Sequence, residues 1–232
     1  METNPIENTK NEEQKYDQPY RPSKLPTYLG LFIEDSEAYR VQQYILEGLE
    51  QLVKSYQNDK ALNQAYEELK NNNSSLELIK DMHVTSLFIG GKKSATSSEH
   101  FTTFKPNFQQ DLELVGFIFV PGKLVTGICY PDQSAIKIEN EFPHMTLMKG
   151  DWAPKFSNDL MNLVCGKGGP LQKEYQKREF ITMQEFTYKC PVQVGKGSGT
   201  AYVVKTLTNL LLKSTAKAKE FYVFIQDFLC LN

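Results

Sequence analysis

From Thr27 onward the chain carries hydrophobic periodicity; before it there is none. Residues 1–24 are polar and charged and are broken by Pro5, Pro19 and Pro22. Such a segment buries too little apolar area to offset the entropy of ordering, so it reads as a disordered tail ahead of one domain spanning 25–232. "TYLGLFIE", from Thr27 to Glu34, is a strand-like run. In "DSEAYRVQQYILEGLEQLVKSY", Val41, Tyr44, Ile45, Leu49, Leu52 and Val53 recur at helical spacing, with Asp35 and Ser36 as N-cap candidates. "ALNQAYEELKN" predicts a second helix that stops at "NNNSS".

The period then shortens to two. "DMHVTSLFIG" alternates apolar and polar side chains, which places His83 and Thr85 on one strand face and Val84 on the other. The polar stretch "GKKSATSSEHFTTFKPNFQQ" reads as a long loop, a length that usually marks a lid or an insertion. "DLELVGFIFV", the turn "PG" and "KLVTGICYP" predict a strand pair, and "FPHMTLMKG" a further strand. "KFSNDLMNLVCGKGG" predicts a helix ending near Gly166. "EFTYKCPVQV", "TAYVVKTL" and "KEFYVFIQDFLCL" close the chain, the last as a strand. Strands and helices alternate in both halves with no linker between them. The class expected is a single α+β domain with mostly antiparallel sheet.

Two of the strands repeat one another. His83-Val84-Thr85 and His144-Met145-Thr146 share a pattern, in a chain with three histidines. Chance recurrence of His-x-Thr in two of three is on the order of 1%. The plain alternative is two structural histidines, each beside a strand-favouring threonine. Residues i and i+2 of a strand share a face, so two such strands set together offer a cleft two imidazoles and two hydroxyls. Imidazole both accepts and gives a proton near neutral pH. One ring can activate a nucleophile while the other protonates a leaving oxygen, and the hydroxyls can hold non-bridging phosphate oxygens. No metal and no cofactor are needed for that chemistry.

Composition narrows the partners. With 26 basic and 28 acidic side chains the formal charge is −2, which excludes a basic nucleic-acid coat but not a local basic groove. Arginine occurs only at Arg21, Arg40 and Arg178, so phosphate contacts fall mainly to lysine, hydroxyls and backbone N–H groups. The four cysteines are widely spaced, which disfavours a disulfide framework or a zinc ribbon. No secretory or transit signal and no membrane-length apolar run is present, so the expectation is cytosol or nucleus and no membrane.

The stretches "HVTSLFIGG" and "PHMTLMKG" resemble the paired motifs of the 2H phosphoesterases, the superfamily of RNA 2′,3′-cyclic phosphodiesterases and 2′-5′ RNA ligases. The order of parts is similar as well: an opening strand, a long helix, the first motif with a glycine pair, a pair of strands, the second motif. The resemblance implies a bilobal fold of pseudo-twofold symmetry with the motifs facing across a central cleft. It implies His83 and His144 as the acid–base pair, in either order, and Thr85 and Thr146 as phosphate binders. The implied partner is RNA or a nucleotide with a terminal or cyclic phosphate.

Around these four, Lys149 is a candidate phosphate contact, and Tyr28, Phe88, Trp152 and Tyr202 are candidates for stacking on a base. His100 reads as a loop histidine, and Lys92 and Lys93 as solvated charges able to steer RNA. "VGKGSGTAYVVK" lacks either phosphate-loop spacing and reads as a turn between strands. The leading expectation is a metal-independent phosphoesterase. The rivals are an RNA- or nucleotide-binding module without turnover, and a ribonucleoprotein subunit tethered to a protein partner by its N-terminal tail. A monomer is expected.

Overall fold

The computed structural model describes residues 19–178, 187–205 and 209–219. It is a mixed α+β fold built on antiparallel sheet. β1 (Tyr28–Ile33) leads through a short 3-10 turn into α1 (Ala38–Ser55) and α2 (Lys60–Lys70). β2 (Glu77–Leu78), β3 (His83–Phe88), the short α3 (Glu99–Thr102), β4 (Gln109–Val120), β5 (Leu124–Pro131) and β6 (His144–Lys149) follow. The chain continues through α4 (Phe156–Cys165), α5 (Gln172–Lys177), β7 (Thr187–Val194), β8 (Gly197–Val204) and β9 (Leu210–Lys219).

The strands run in the order β2-β6-β5-β4-β9-β1-β3, with β8 and then β7 added beside β4. β4 is long enough to serve two neighbours on one edge. Its first half, from Gln109 to Leu114, pairs with β9, and Phe117–Phe119 pairs with β8. The change of partner falls at a register shift between Leu114 and Gly116. A Cβ on Gly116 would stand 2.7 Å from the Val204 carbonyl, so only glycine lets β8 close in there.

The helices cover both faces. Val41, Ile45, Leu49 and Leu52 of α1 and Leu62 of α2 are fully buried against Leu29, Leu31, Val84, Phe117 and Leu147. Leu160, Met161 and Val164 of α4 are buried against Ile118, Leu124, Ile128 and Val203 in a second core. The period-3.6 stripe of α1 is therefore the stripe that is covered, because the sheet strands present matching apolar rows.

Several expectations change. Asp35 and Ser36 do not cap α1; they lie in the 3-10 turn, and Glu37 occupies the N-cap without a side-chain bond. The long polar loop is not structureless. It contains a 3-10 segment at Lys93–Ser97 and α3, and it buries Phe101 and Phe104. Tyr20 packs on both rings at 5.3 and 5.5 Å, and its N–H bonds the Thr102 carbonyl at 3.1 Å. The end of the expected tail thus belongs to the folded part, while residues 1–18 lie outside the described residues. The closing strand expected at 219–231 also lies outside them, apart from Lys219. β9, which sequence reading passed over, is a central strand. The glycine-rich "VGKGSG" is the two-residue turn of the β7–β8 hairpin, with Val194 opposite Gly197 and Gly195 at φ 56°.

Candidate active site

β3 and β6 stand near opposite ends of the strand order, yet they touch. The connections explain why. β2, which leads towards β3, lies instead on β6: Leu78 opposes Met148, and the Ile79 N–H bonds the Leu147 carbonyl at 2.9 Å. The segment leading towards β6 lies on β3: the Glu139 N–H bonds the Ser86 carbonyl at 2.8 Å, and the Ser86 hydroxyl bonds the Lys137 carbonyl at 2.7 Å. Each His-x-Thr strand is thus edged by the lead-in of the other, and this exchange draws the two strands together.

The two halves match in register. Opposite β1, Leu87 faces Leu29 and Thr85 faces Gly30, with Ser86 unpaired at the shift. Opposite β5, Met148 faces Val125 and Thr146 faces Thr126, with Leu147 unpaired. The bulge therefore follows the threonine in both strands. Its unpaired residue turns its carbonyl outward to the exchanged segment. Val84, Met145 and Leu147 face the same apolar core, which leaves His83, Thr85, His144 and Thr146 on the other face.

The imidazoles are held alike. The Nδ1 of His83 lies 2.7 Å from the Asp81 carbonyl, and that of His144 lies 2.6 Å from the Phe142 carbonyl. A carbonyl only accepts, so Nδ1 carries the proton in both rings and Nε2 is left to exchange protons. Burial lowers the pKa of His83 below the ordinary 6.5; the nearby Lys219 adds to this, and the Asp81 carbonyl bond and carboxylate oppose it. Burial lowers that of His144 as well, and the charge of His83 lowers it further against the Phe142 carbonyl bond. The two rings are thus close enough to oppose each other's protonation.

Their surroundings differ. His83 is half-buried and packs against Tyr28 and Phe32, with ring centroids at 4.7 and 4.8 Å. His144 is buried at 9% exposure. The Thr146 hydroxyl shares a hydrogen bond of 2.7 Å with Ser157 in the first turn of α4, and Thr126 donates to the same Ser157 at 3.1 Å. Thr85 has no such partner among the described residues. It lines a pocket of about 300 Å³ with Ser86, Phe88, Glu139, Asn140 and Asn158.

The remaining candidates divide. Phe88 is 66% exposed at the rim of the Thr85 pocket. Tyr28 contacts the His83 ring itself, and burial followed by the Asp81 carboxylate pushes its phenol up to about 12. Trp152 and Tyr202 are corrections: both are core residues. Trp152 packs on Phe156, and a Cβ at Gly197 would touch its indole nitrogen at 2.5 Å. Tyr202 donates its hydroxyl to Asp59 at 2.6 Å, far along the fold at the N-cap of α2. Lys149 is drawn to Glu77 at 3.9 Å on the outer side of β6. Asn140, Asn158, Ser157 and Phe32 were not singled out in the sequence; of these, only Phe32 sat in a strand whose alternation could have placed it.

Among the described residues no group of three or more His, Cys, Asp or Glu side chains gathers, and no helix is long and apolar enough to cross a membrane. No family model matches the chain, and no curated protein matches it. A solved crystal structure of a fungal RNA kinase is similar with a TM-score of 0.49 at 18% identity, covering 87% of this chain and 47% of that one. The chain thus spans about half the length of that protein.

Proposed function

We propose that this chain is a metal-independent phosphoesterase of the 2H type, acting on RNA ends or nucleotide 2′,3′-cyclic phosphates by paired-histidine acid–base catalysis. The observation that carries the reading is the twin tethering of His83 and His144, each Nδ1 spent on a carbonyl two residues back, in rings close enough to sense each other's charge. Such a pair holds one proton between its two Nε2 atoms over a range of pH. His83 is the better seat for it, since Asp81 lies beside it and its ring is less buried. His144 is then the neutral base. Its Nε2 takes a proton from water as the water oxygen attacks phosphorus. The bond from phosphorus to the ribose oxygen breaks, and His83 delivers its proton to that oxygen. The free hydroxyl of Thr85 and the Thr146–Ser157 pair are donors for the non-bridging oxygens, where charge accumulates.

The test is incubation with a nucleoside 2′,3′-cyclic phosphate in EDTA, followed by chromatography. Appearance of one monophosphate isomer in the native protein, and its absence in His83→Ala and His144→Ala, is the expected result. Tight binding without turnover would overturn the reaction and leave a nucleotide-binding module.

A further inference from the structure

A phosphodiester is an anion, and the two threonines offer it only neutral donors. The one proton the histidine pair holds is delivered to the leaving oxygen, and burial disfavours a second on the pair. A cation has to come from elsewhere on the same sheet face, and the register shows where. Thr85 on β3 opposes Gly30 on β1, and Gly30 opposes Lys217 on β9. Residues directly opposite in a sheet project from the same face. Thr85, Gly30 and Lys217 therefore form one row, two strand spacings of about 4.8 Å each from end to end. The middle member has no side chain, and Cε2 of Phe32 and Cδ2 of His83 lie 3.5 and 3.6 Å from where its Cβ would stand, so these two rings lie close over Gly30 between hydroxyl and ammonium. The neighbouring row is His83, Phe32 and Thr215. Lys217 leans into this region, its Nζ 5.8 Å from the centre of the Phe32 ring, which itself packs on His83.

Lys217 also has no close carboxylate partner among the described residues. Lys219, the next lysine on that face, is bound to Asp81 at 2.8 Å. Lys123, Lys137, Lys149 and Lys189 each pair with a carboxylate. Lys217 is exposed and pairs directly with no carboxylate among the described residues, although its charge reaches the Asp81 carboxylate, which it helps hold below the ordinary range.

We infer that Lys217 is a substrate-binding residue whose ammonium, on the sheet face of Thr85 and beside the Phe32 ring that packs on His83, holds the substrate phosphate at this site. The inference rests on the phosphoesterase reading for its substrate. The site itself would take any nucleotide carrying a ribose phosphate.

Two measurements are made on Lys217→Gln, Lys217→Arg and, as a remote loss of one charge on α1, Lys54→Gln. The first is steady-state kinetics on a 2′,3′-cyclic nucleotide. Lys217→Gln is expected to lower kcat/KM about 30-fold, mostly through KM, with a shallower salt dependence. Lys217→Arg should restore most of the loss, and Lys54→Gln should match the native protein. The second is titration with adenosine 2′-monophosphate, read by the imidazole C–H resonance of His83, where Lys217→Gln should weaken binding about tenfold. Turnover by the native protein with Lys217→Gln within twofold of it would overturn the inference and spare the reaction. No turnover by the native protein, with monophosphate binding that still depends on Lys217, would overturn the reaction and sustain the site. Binding of the monophosphate unchanged in Lys217→Gln, or absent from the native protein, would overturn the site.

Discussion

The two halves of the molecule hold the same tripeptide pattern in the same bulged strand and surround it differently. Around His83 the opposing residue is Gly30, the Thr85 hydroxyl is free, and the imidazole lies among Tyr28, Phe32, Asp81 and Lys219. Around His144 the opposing position carries Thr126, and Ser157 joins that hydroxyl to Thr146. Backbone geometry is thus duplicated while electrostatics is not. Two imidazoles in identical settings would share a proton evenly. One beside a carboxylate and one more deeply buried do not, and that inequality is what an acid and a base require.

The sharpest way to break the comparison is to remove one ring at a time. His83→Ala and His144→Ala should each lower kcat/KM on a cyclic phosphate by about a thousandfold, the usual scale for loss of a general acid or base. The two should part on a nucleotide nitrophenyl diester, whose leaving group needs no proton. His83→Ala should recover much of its rate there, and His144→Ala should not. Recovery in the opposite variant would exchange the two roles.

The threonines come next in size. Thr85→Val should cost roughly tenfold to thirtyfold in kcat/KM and little stability, since its hydroxyl has no partner inside the protein among the described residues. Thr146→Val should cost less activity and about 1 kcal/mol of stability, because Ser157 loses a buried partner. Kinetics and thermal melts on the pair check this; equal profiles would mean the two hydroxyls do the same work. Gly30→Ala sharpens the point. A Cβ there would stand 2.9 Å from the Val84 carbonyl and 3.6 Å from Cδ2 of His83, so β3 must shift. A loss of about 1–2 kcal/mol with a severalfold fall in kcat is expected, by overpacking.

Much of this is legible in the sequence. The alternation in "HVTSLF" and "HMTLMK" put each His and Thr on one face, and the stripe in α1 marked its covered side. What the sequence withheld has physical causes. β9 reads "LLLKSTAKAK": its lysines and alanines have low strand propensity, and its alternation is broken by an exposed Leu211 and a buried Ser214; it forms because β1 and β4 pair both its edges. Trp152 and Tyr202 looked like stacking surfaces because aromatic rings serve cores and bases equally, and only packing distinguishes the two. The exchange of lead-in segments, and with it the approach of the two histidines, depends on pairings across more than fifty residues that no local pattern encodes.

The smallest effect is on stability, and it separates the halves by pH alone. A histidine whose folded pKa lies below 6.5 binds fewer protons in the native state than in the unfolded chain. Its contribution is therefore complete above the unfolded value of 6.5 and is lost as pH falls through the folded one. The urea midpoint should drop between pH 7.5 and pH 5, a window clear of Asp59, whose carboxyl the Lys189 ammonium and then the Tyr202 hydroxyl hold at about 2. His144→Gln should flatten this acid limb more than His83→Gln. His144 is the more buried ring and has no carboxylate to ease its protonation, whereas Asp81 offsets part of the burial of His83. An equal flattening by both variants would mean that Asp81 does not distinguish the rings, and the assignment of His83 as the proton's seat would fall with it.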